Sequence, residues 1–231
     1  MKSIAIIPAR GGSKRIPGKN IKSFHGQPII KRTILKALES NLFDEVYVST
    51  EDFEIARVSE SAGAKIIERS KELSDDYTST KDVISDAILK VKAELQREDF
   101  LVCCIYPVTP LLNYARIQEA WDILLKNNPK FVFPAIASRS VSERSFKIGQ
   151  NNFLDETDSS VLGKRSQDFD LRFFDAGQFY LGFAKSWLEN VSILSPESCT
   201  IPLGKYEVFD VDDLEDWELV ENLFSLRSNL D

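Results

Sequence analysis

The chain has 231 residues, 43% of them hydrophobic and 28% charged, and a formal net charge of −7. That length allows one or two domains with a real buried core. Net acidity argues against a nucleic-acid binder, which would show a broad basic face, and no apolar run approaches the ~20 residues that span a membrane.

The first residues run straight into an apolar stretch without a signal-peptide pattern. Three cysteines, Cys103, Cys104 and Cys199, are an odd count. They read as reduced thiols and, with the missing leader, as a cytoplasmic protein. His25 is the only histidine, and no zinc-ligand spacing occurs.

In chain order, Ile4–Ala9 is a continuous apolar run and predicts a buried strand. A loop follows to about Gln27. Pro28 suits the first turn of a helix, with Ile29, Ile30, Ile34, Leu35 and Leu38 on one face. Glu45–Ser49 predicts a second strand, Asp52–Ala62 a helix ended by Gly63, and Lys65–Glu68 a third strand. Ser70–Ser79 is polar and loop-like. Thr80 is the expected cap of a helix whose stripe is Val83, Ile84, Ala87, Ile88, Val91 and Leu95. Phe100–Tyr106 predicts a fourth strand, Asn113–Asn127 a helix and Phe131–Ala137 a fifth strand.

From Ser138 to Phe174 the alternation breaks into polar sequence, which reads as an inserted arm (138–174) within a single domain spanning 1–231. Ala176–Gly182 is strand-like, Ala184–Asn190 a helical turn and Tyr206–Asp210 a last strand. Asp213–Leu226 is a terminal helix with Leu214, Trp217, Val220, Leu223 and Phe224 inward. Strand and helix in alternation imply an α/β fold with a mostly parallel sheet flanked by helices. Ligands on such sheets sit outside the carboxyl ends of the strands. The loop after the first strand, Ser49-Thr50, Pro107–Pro110 and Asp210–Asp212 should therefore converge.

Charge is concentrated in one of these places. Nine cations, from Lys2 to Lys36, precede the first acid, Glu39. Arg10, Gly11, Gly12, Ser13, Lys14, Arg15 and Lys19 follow the first strand directly. Glycines let backbone N–H groups approach a phosphate, and Lys and Arg neutralise it. The spacing is neither that of the P-loop nor G-x-G-x-x-G. The same residues also suit a solvated loop, but strand-end position and one-sided charge favour a polyphosphate.

Asp210 and Asp212 stand two apart, so a strand would turn both to one face, where a cation answers their repulsion. The alternative is that Asp212 caps the terminal helix. Asp168-Phe169-Asp170 has the same spacing and is assigned no metal. Ser49 and Thr50 suit either a nucleotide contact or a helix cap.

The stretch ARGGSKRIPGKN, residues 9–20, resembles the signature loop of the sialic-acid-type CMP-sugar synthetases, a cytidylyltransferase family. The resemblance continues in Ser49-Thr50-Glu51-Asp52 with Ile55-Ala56, in Glu72–Asp76, in Tyr106–Leu111 and in Asp210-Val211-Asp212 with Leu214–Trp217. Arg165–Asp168 and Asp175–Tyr180 look most like the pseudaminic acid branch. Glu51 stands where the family more often has Asp, and no ligand role is assigned to it.

The resemblance implies transfer of CMP from CTP to the anomeric oxygen of a nine-carbon acidic sugar, loss of pyrophosphate and a need for Mg2+. It implies a Rossmann-like domain with a small dimerisation arm, hence a homodimer, with Phe146, Phe153 and Val161 on the arm. It also implies CTP contacts from Arg10, Ser13, Lys19 and Asn20.

The residue chemistry agrees. Departing phosphates need cations, for which Arg10, Lys14 and Lys19 are suited, with backbone donors from Gly11-Gly12-Ser13. Arg10, Lys19 and Asp212 are the expected catalytic residues, with Asp212, or a metal-bound hydroxyl beside it, as the base that takes the sugar's proton. Pro107 joins Ser49 and Thr50 at the nucleotide, and Asp210 with Asp212 holds the metal. Gln178, Phe179, Tyr180, Gln167 and Arg165 are the expected sugar contacts, with Arg165 suited to pair with the sugar carboxylate or else with an acid across the dimer, and Phe179 suited also to plain core. Two other classes fit less well. A glycosyltransferase carries its acidic pair mid-chain, and a non-catalytic nucleotide module would lack the cations or the acids.

Overall fold

The computed structural model describes residues 1–138, 144–156 and 163–228. The first half alternates as expected: β1 (Ser3–Pro8), the small β2 (Ser23–Phe24) and β3 (Gln27–Pro28), α1 (Ile29–Glu39), β4 (Glu45–Thr50), α2 (Phe53–Ser61), β5 (Lys65–Glu68), α3 (Thr80–Leu95) and β6 (Leu101–Ile105). The second half holds α4 (Tyr114–Asn127), β7 (Val132–Ala137), β8 (Lys147–Ile148), β9 (Leu154–Glu156), β10 (Phe173–Asp175), β11 (Phe179–Phe183), α5 (Ala184–Leu188), β12 (Cys199–Leu203) and α6 (Leu214–Ser228).

Eight strands form one mixed sheet, with β5, β4, β1 and β6 parallel neighbours in that order. Strand β11 runs antiparallel between β6 and β7. Strand β10 continues along the same side of β7, and β12 lies parallel on its other side. Both sides of β7 are thus taken. The expected strand at Tyr206–Asp210 does not form, and Cys199–Leu203 is the last strand instead.

Alternation along β1 divides the core. Ala5 and Ile7 join Ile30, Ile34, Val46, Val48, Ile55 and Ile117 on one face. Ile4 and Ile6 join Ile84, Ile88, Val91, Phe100 and Trp187 on the other. Continuous apolar strands are what a sheet covered on both faces requires.

Local signals set the helix ends. Asp52 caps α2 by accepting from Ile55 N at 2.9 Å, and Asn113 caps α4 by accepting from Ala115 N at 3.0 Å. Gly63 has φ 96, the left-handed conformation expected of it. The cap of α3 is Ser79, not Thr80: Ser79 Oγ accepts from Asp82 N at 3.1 Å. Leu214 and Leu38 lie exposed rather than inward.

A third apolar cluster gathers Ile16, Phe24, Ile29, Leu111, Val211, Trp217 and Val220. It ties the loop after β1 to the start of α6, two segments almost 200 residues apart in sequence. The arm contains the hairpin β8–β9, a two-stranded sheet separate from the main one. Val161 lies outside the described residues.

Candidate active site

The cationic loop is pinned from below. Ile16 is 1% exposed within the third cluster, a burial that contributes about 2 kcal/mol. Asn20 is buried and donates its Nδ2 to Arg10 O at 2.9 Å. Gly18 takes φ 63 to start the turn Lys19–Ile21. Gly11 donates its N–H to Glu51 Oε1 at 2.8 Å. A Cβ on Gly11 would stand 2.3 Å from Asp52 Oδ2, so the close approach demands glycine.

Ser13 N donates to Gly11 O at 3.0 Å. Two of the three amides expected to cradle phosphate are therefore engaged inside the protein. The side chains of the loop carry the charge into the cleft.

Residues 204–213 cross back to this loop as irregular chain. Val211, 2% exposed, packs with Ile16 and Trp217, which sets Asp210 and Asp212 on either side of it at the cleft. The pair meets the cleft through this anchor, not through strand alternation. Asp212 Oδ2 pairs with Arg15 Nη1 at 2.8 Å. Asp212 does not cap α6. Asp213 Oδ1 accepts from Asp216 N at 2.9 Å, while Asp216 takes the amides of Asp212 and Asp213.

Lys19 bridges the two halves, with its Nζ donating to Val211 O. Burial pushes the Lys19 ammonium below its ordinary pKa, against the opposing pull of Asp210 and Asp212.

The cleft measures about 410 Å3 at the carboxyl ends of β1 and β6. Arg10, Ser13, Lys14, Lys19, Asn20, Pro107, Asp210 and Asp212 all line it. Pro107 is held by Thr33 Oγ1, which donates to its carbonyl at 2.8 Å. Ser49 and Thr50 do not reach the cleft. Ser49 is fully buried and takes Arg69 on both its hydroxyl and its carbonyl, at 3.2 and 2.6 Å. Thr50 Oγ1 accepts from Asp52 N at 3.1 Å, so its hydroxyl serves the turn into α2.

Arg69 itself lines the cleft at 5% exposure, its pKa lowered by burial with Glu51 opposing. Sequence reasoning missed it; the signal was a cation at the carboxyl end of β5. Asp75, Asp76, Thr80 and Tyr106 line the cleft too, and Tyr106 OH meets Thr80 Oγ1 at 2.7 Å.

The expected sugar contacts scatter. Arg165 has its side chain 74% exposed on the arm and pairs with Asp168 at 3.4 Å, and Gln167 is exposed beside it. Neither enters the cleft of its own chain. Phe179 is fully buried in the sheet core. Gln178 is buried, with its Nε2 donating to Glu207 O at 2.7 Å. Tyr180 packs edge-on against Tyr106 at 5.7 Å and donates its hydroxyl to Asp175 Oδ2 at 2.5 Å. A second cavity of about 700 Å3 adjoins the cleft, shares Gly177 and Asp210 with it, and is walled by Phe174, Asp175, Val208 and Phe209.

The described residues contain no group of three or more His, Cys, Asp or Glu side chains fit to hold a metal. Asp210 and Asp212 offer hard oxygens, and a cation there would complete its shell from water and phosphate. That donor set suits Mg2+.

The strand-end cleft thus gathers Arg10, Lys14, Lys19 and Arg69 with Asp210 and Asp212, a set of groups able to receive a nucleoside polyphosphate. The family model described as cytidylyltransferase matches residues 4–167, and the chain belongs to that family. It is 41% identical to the pseudaminic acid cytidylyltransferase of Campylobacter jejuni subsp. jejuni serotype O:2 over 98% of both chains. It is 31% identical to the CMP-N,N'-diacetyllegionaminic acid synthase of Legionella pneumophila, again over 98% of both. A solved CMP:2-keto-3-deoxy-manno-octonic acid synthetase complexed with CTP shares the fold, with TM-score 0.70 and 17% identity, over 98% of this chain and 100% of that one. Among the described residues no helix is long and apolar enough to cross a membrane.

Proposed function

We propose that this protein joins CMP from CTP to a nonulosonic acid, with pseudaminic acid as the preferred sugar, and releases pyrophosphate. The observation that carries this reading is the cationic loop facing Asp210 and Asp212 across one cleft. The 41% identity to a pseudaminic acid cytidylyltransferase supports the choice of sugar.

Arg10, Lys14 and Lys19 hold the β- and γ-phosphates and stabilise the charge that develops as pyrophosphate departs. Pro107 and Arg69 bound the nucleoside end. The sugar occupies the second cavity, so its anomeric oxygen meets the α-phosphorus near Asp210, which both cavities share. That oxygen bonds to phosphorus while the bond to the bridging oxygen of pyrophosphate breaks. Asp212 takes the sugar's proton once Arg15 is drawn to phosphate. Mg2+ on Asp210 and Asp212 supplies Lewis-acid stabilisation of the phosphate oxygens when bound. The work is cytoplasmic, where CTP is made. The arm pairs two copies into a homodimer, and Arg165 and Gln167, remote from their own cleft, serve the partner side.

The test is pyrophosphate release across CTP, UTP and GTP, crossed with a panel of nonulosonic acids. CTP with pseudaminic acid should turn over fastest. Equal or better turnover of N-acetylneuraminate overturns the sugar assignment. CTP binding with no release on any of the acids favours a non-catalytic module.

A further inference from the structure

The acidic turn Glu72–Asp76 has a place in this cleft beyond packing. Asp75 builds the turn: its Oδ1 accepts from Tyr77 N at 2.9 Å, Thr78 N at 2.6 Å and Thr78 Oγ1 at 2.7 Å. The turn presents Asp76 to the cationic loop. Asp76 Oδ1 pairs with Arg10 Nη2 at 2.7 Å, and Oδ2 receives Lys14 Nζ. Arg10 Nη1 also donates to Asp75 O at 2.8 Å. One carboxylate thus engages both outer cations, one on each oxygen, as two phosphate oxygens would. The Lys14 and Arg10 contacts hold the Asp76 carboxyl below its usual pKa, so it is ionised at neutral pH.

We propose that Asp76 is a positioning residue that sets the polyphosphate affinity of the cleft, by holding Arg10 and Lys14 as a stand-in anion that incoming phosphates displace. The inference rests on the nucleotide reading above. A triphosphate needs the same two cations, and it meets a fixed negative charge within ion-pair distance of both. Asp76 holds both cations as an internal competitor of the phosphates, and that competition weakens binding. Both pairs are partly exposed, with Asp76 34% and Lys14 79% accessible, so solvent screens them and a polyanion can displace them.

The experiment is calorimetric titration of wild type and Asp76→Asn with CTP, pyrophosphate and CMP, without sugar. Asn keeps the shape and removes the charge, and equal melting temperatures establish that the fold is intact. CTP and pyrophosphate should bind roughly two- to fivefold tighter to Asp76→Asn, the scale of one exposed ion pair. CMP, with no β- or γ-phosphate, should bind both proteins alike. Unchanged or weaker CTP binding in the variant overturns the proposal, as does equal tightening of CMP. Wild type that binds neither CTP nor pyrophosphate instead defeats the nucleotide reading, and this inference with it.

Discussion

Lys19 shows how one residue joins opposite ends of the chain. Its ammonium donates to Val211 O, between the two carboxylates of the site, from a loop anchored by Ile16 and Asn20. Burial lowers its pKa from 10.5, and Asp210 and Asp212 only partly oppose this. As pH rises, Lys19 therefore discharges before a free lysine would. Between its folded pKa and 10.5 the unfolded chain binds more protons, so the penalty for burying this charge fades and stability gains with pH there. Activity moves the other way, because the departing phosphates need the charge. The alkaline limb of kcat/KM should lie below pH 10.5 and move upward in Lys19→Arg, which stays charged. Lys19→Met should lower kcat by about 100-fold or more while the circular dichroism spectrum is unchanged. A pH profile identical in Lys19→Arg and wild type counts against this role.

At the scale of elements, the start of α3 separates stability from function within two neighbouring residues. Ser79 is extended, at φ −69 and ψ 151, and caps the helix, whereas Thr80 turns its hydroxyl to Tyr106 in the cleft. Ser79→Ala should cost about 1 kcal/mol and lower Tm by about 2–4 °C with the KM for CTP unchanged. Thr80→Ala should raise that KM by freeing Tyr106. Reversed effects would return the cap to Thr80. Either residue satisfies a capping rule, which is why sequence alone chose the wrong one. The central strands were legible because both faces of the sheet are covered and each strand is a continuous apolar run. Cys199–Leu203 was not legible: Pro202 interrupts it, and only alternate side chains are buried. Tyr206–Asp210 has strand-like residues, but β7 has no side left to pair. The cationic loop was legible through its charge. Arg69 was not, because its burial depends on the Ser49 carbonyl across the sheet. Ser49 and Thr50 had two readings in the sequence, and their hydroxyls are engaged by Arg69 and by the Asp52 amide rather than lining the cleft.

At the scale of the molecule, the cleft proposed for the nucleotide is lined from one chain, while large apolar side chains stay exposed elsewhere. Phe146, Ile148, Phe153 and Leu154 on the arm and Phe173 and Phe174 on β10 are all about half exposed or more. Phe174 also walls the second cavity, so this surface reaches the proposed sugar site. We propose that these exposed apolar side chains meet a second copy of the chain, since large apolar surface left open suits an interface and a copy-to-copy contact closes as a two-fold dimer. The wild-type protein should sediment as a dimer at micromolar concentration, and its Tm should rise with protein concentration. Phe153→Glu combined with Ile148→Glu should give a monomer, since two charges cannot be buried unpaired in the joint. In that monomer the KM for CTP should hold, because Arg10, Lys14, Lys19 and Asp212 come from one chain. The KM for the sugar should rise, because the second cavity loses its cover. A monomeric wild type, or a monomeric variant with both constants unchanged, would separate the arm from the site.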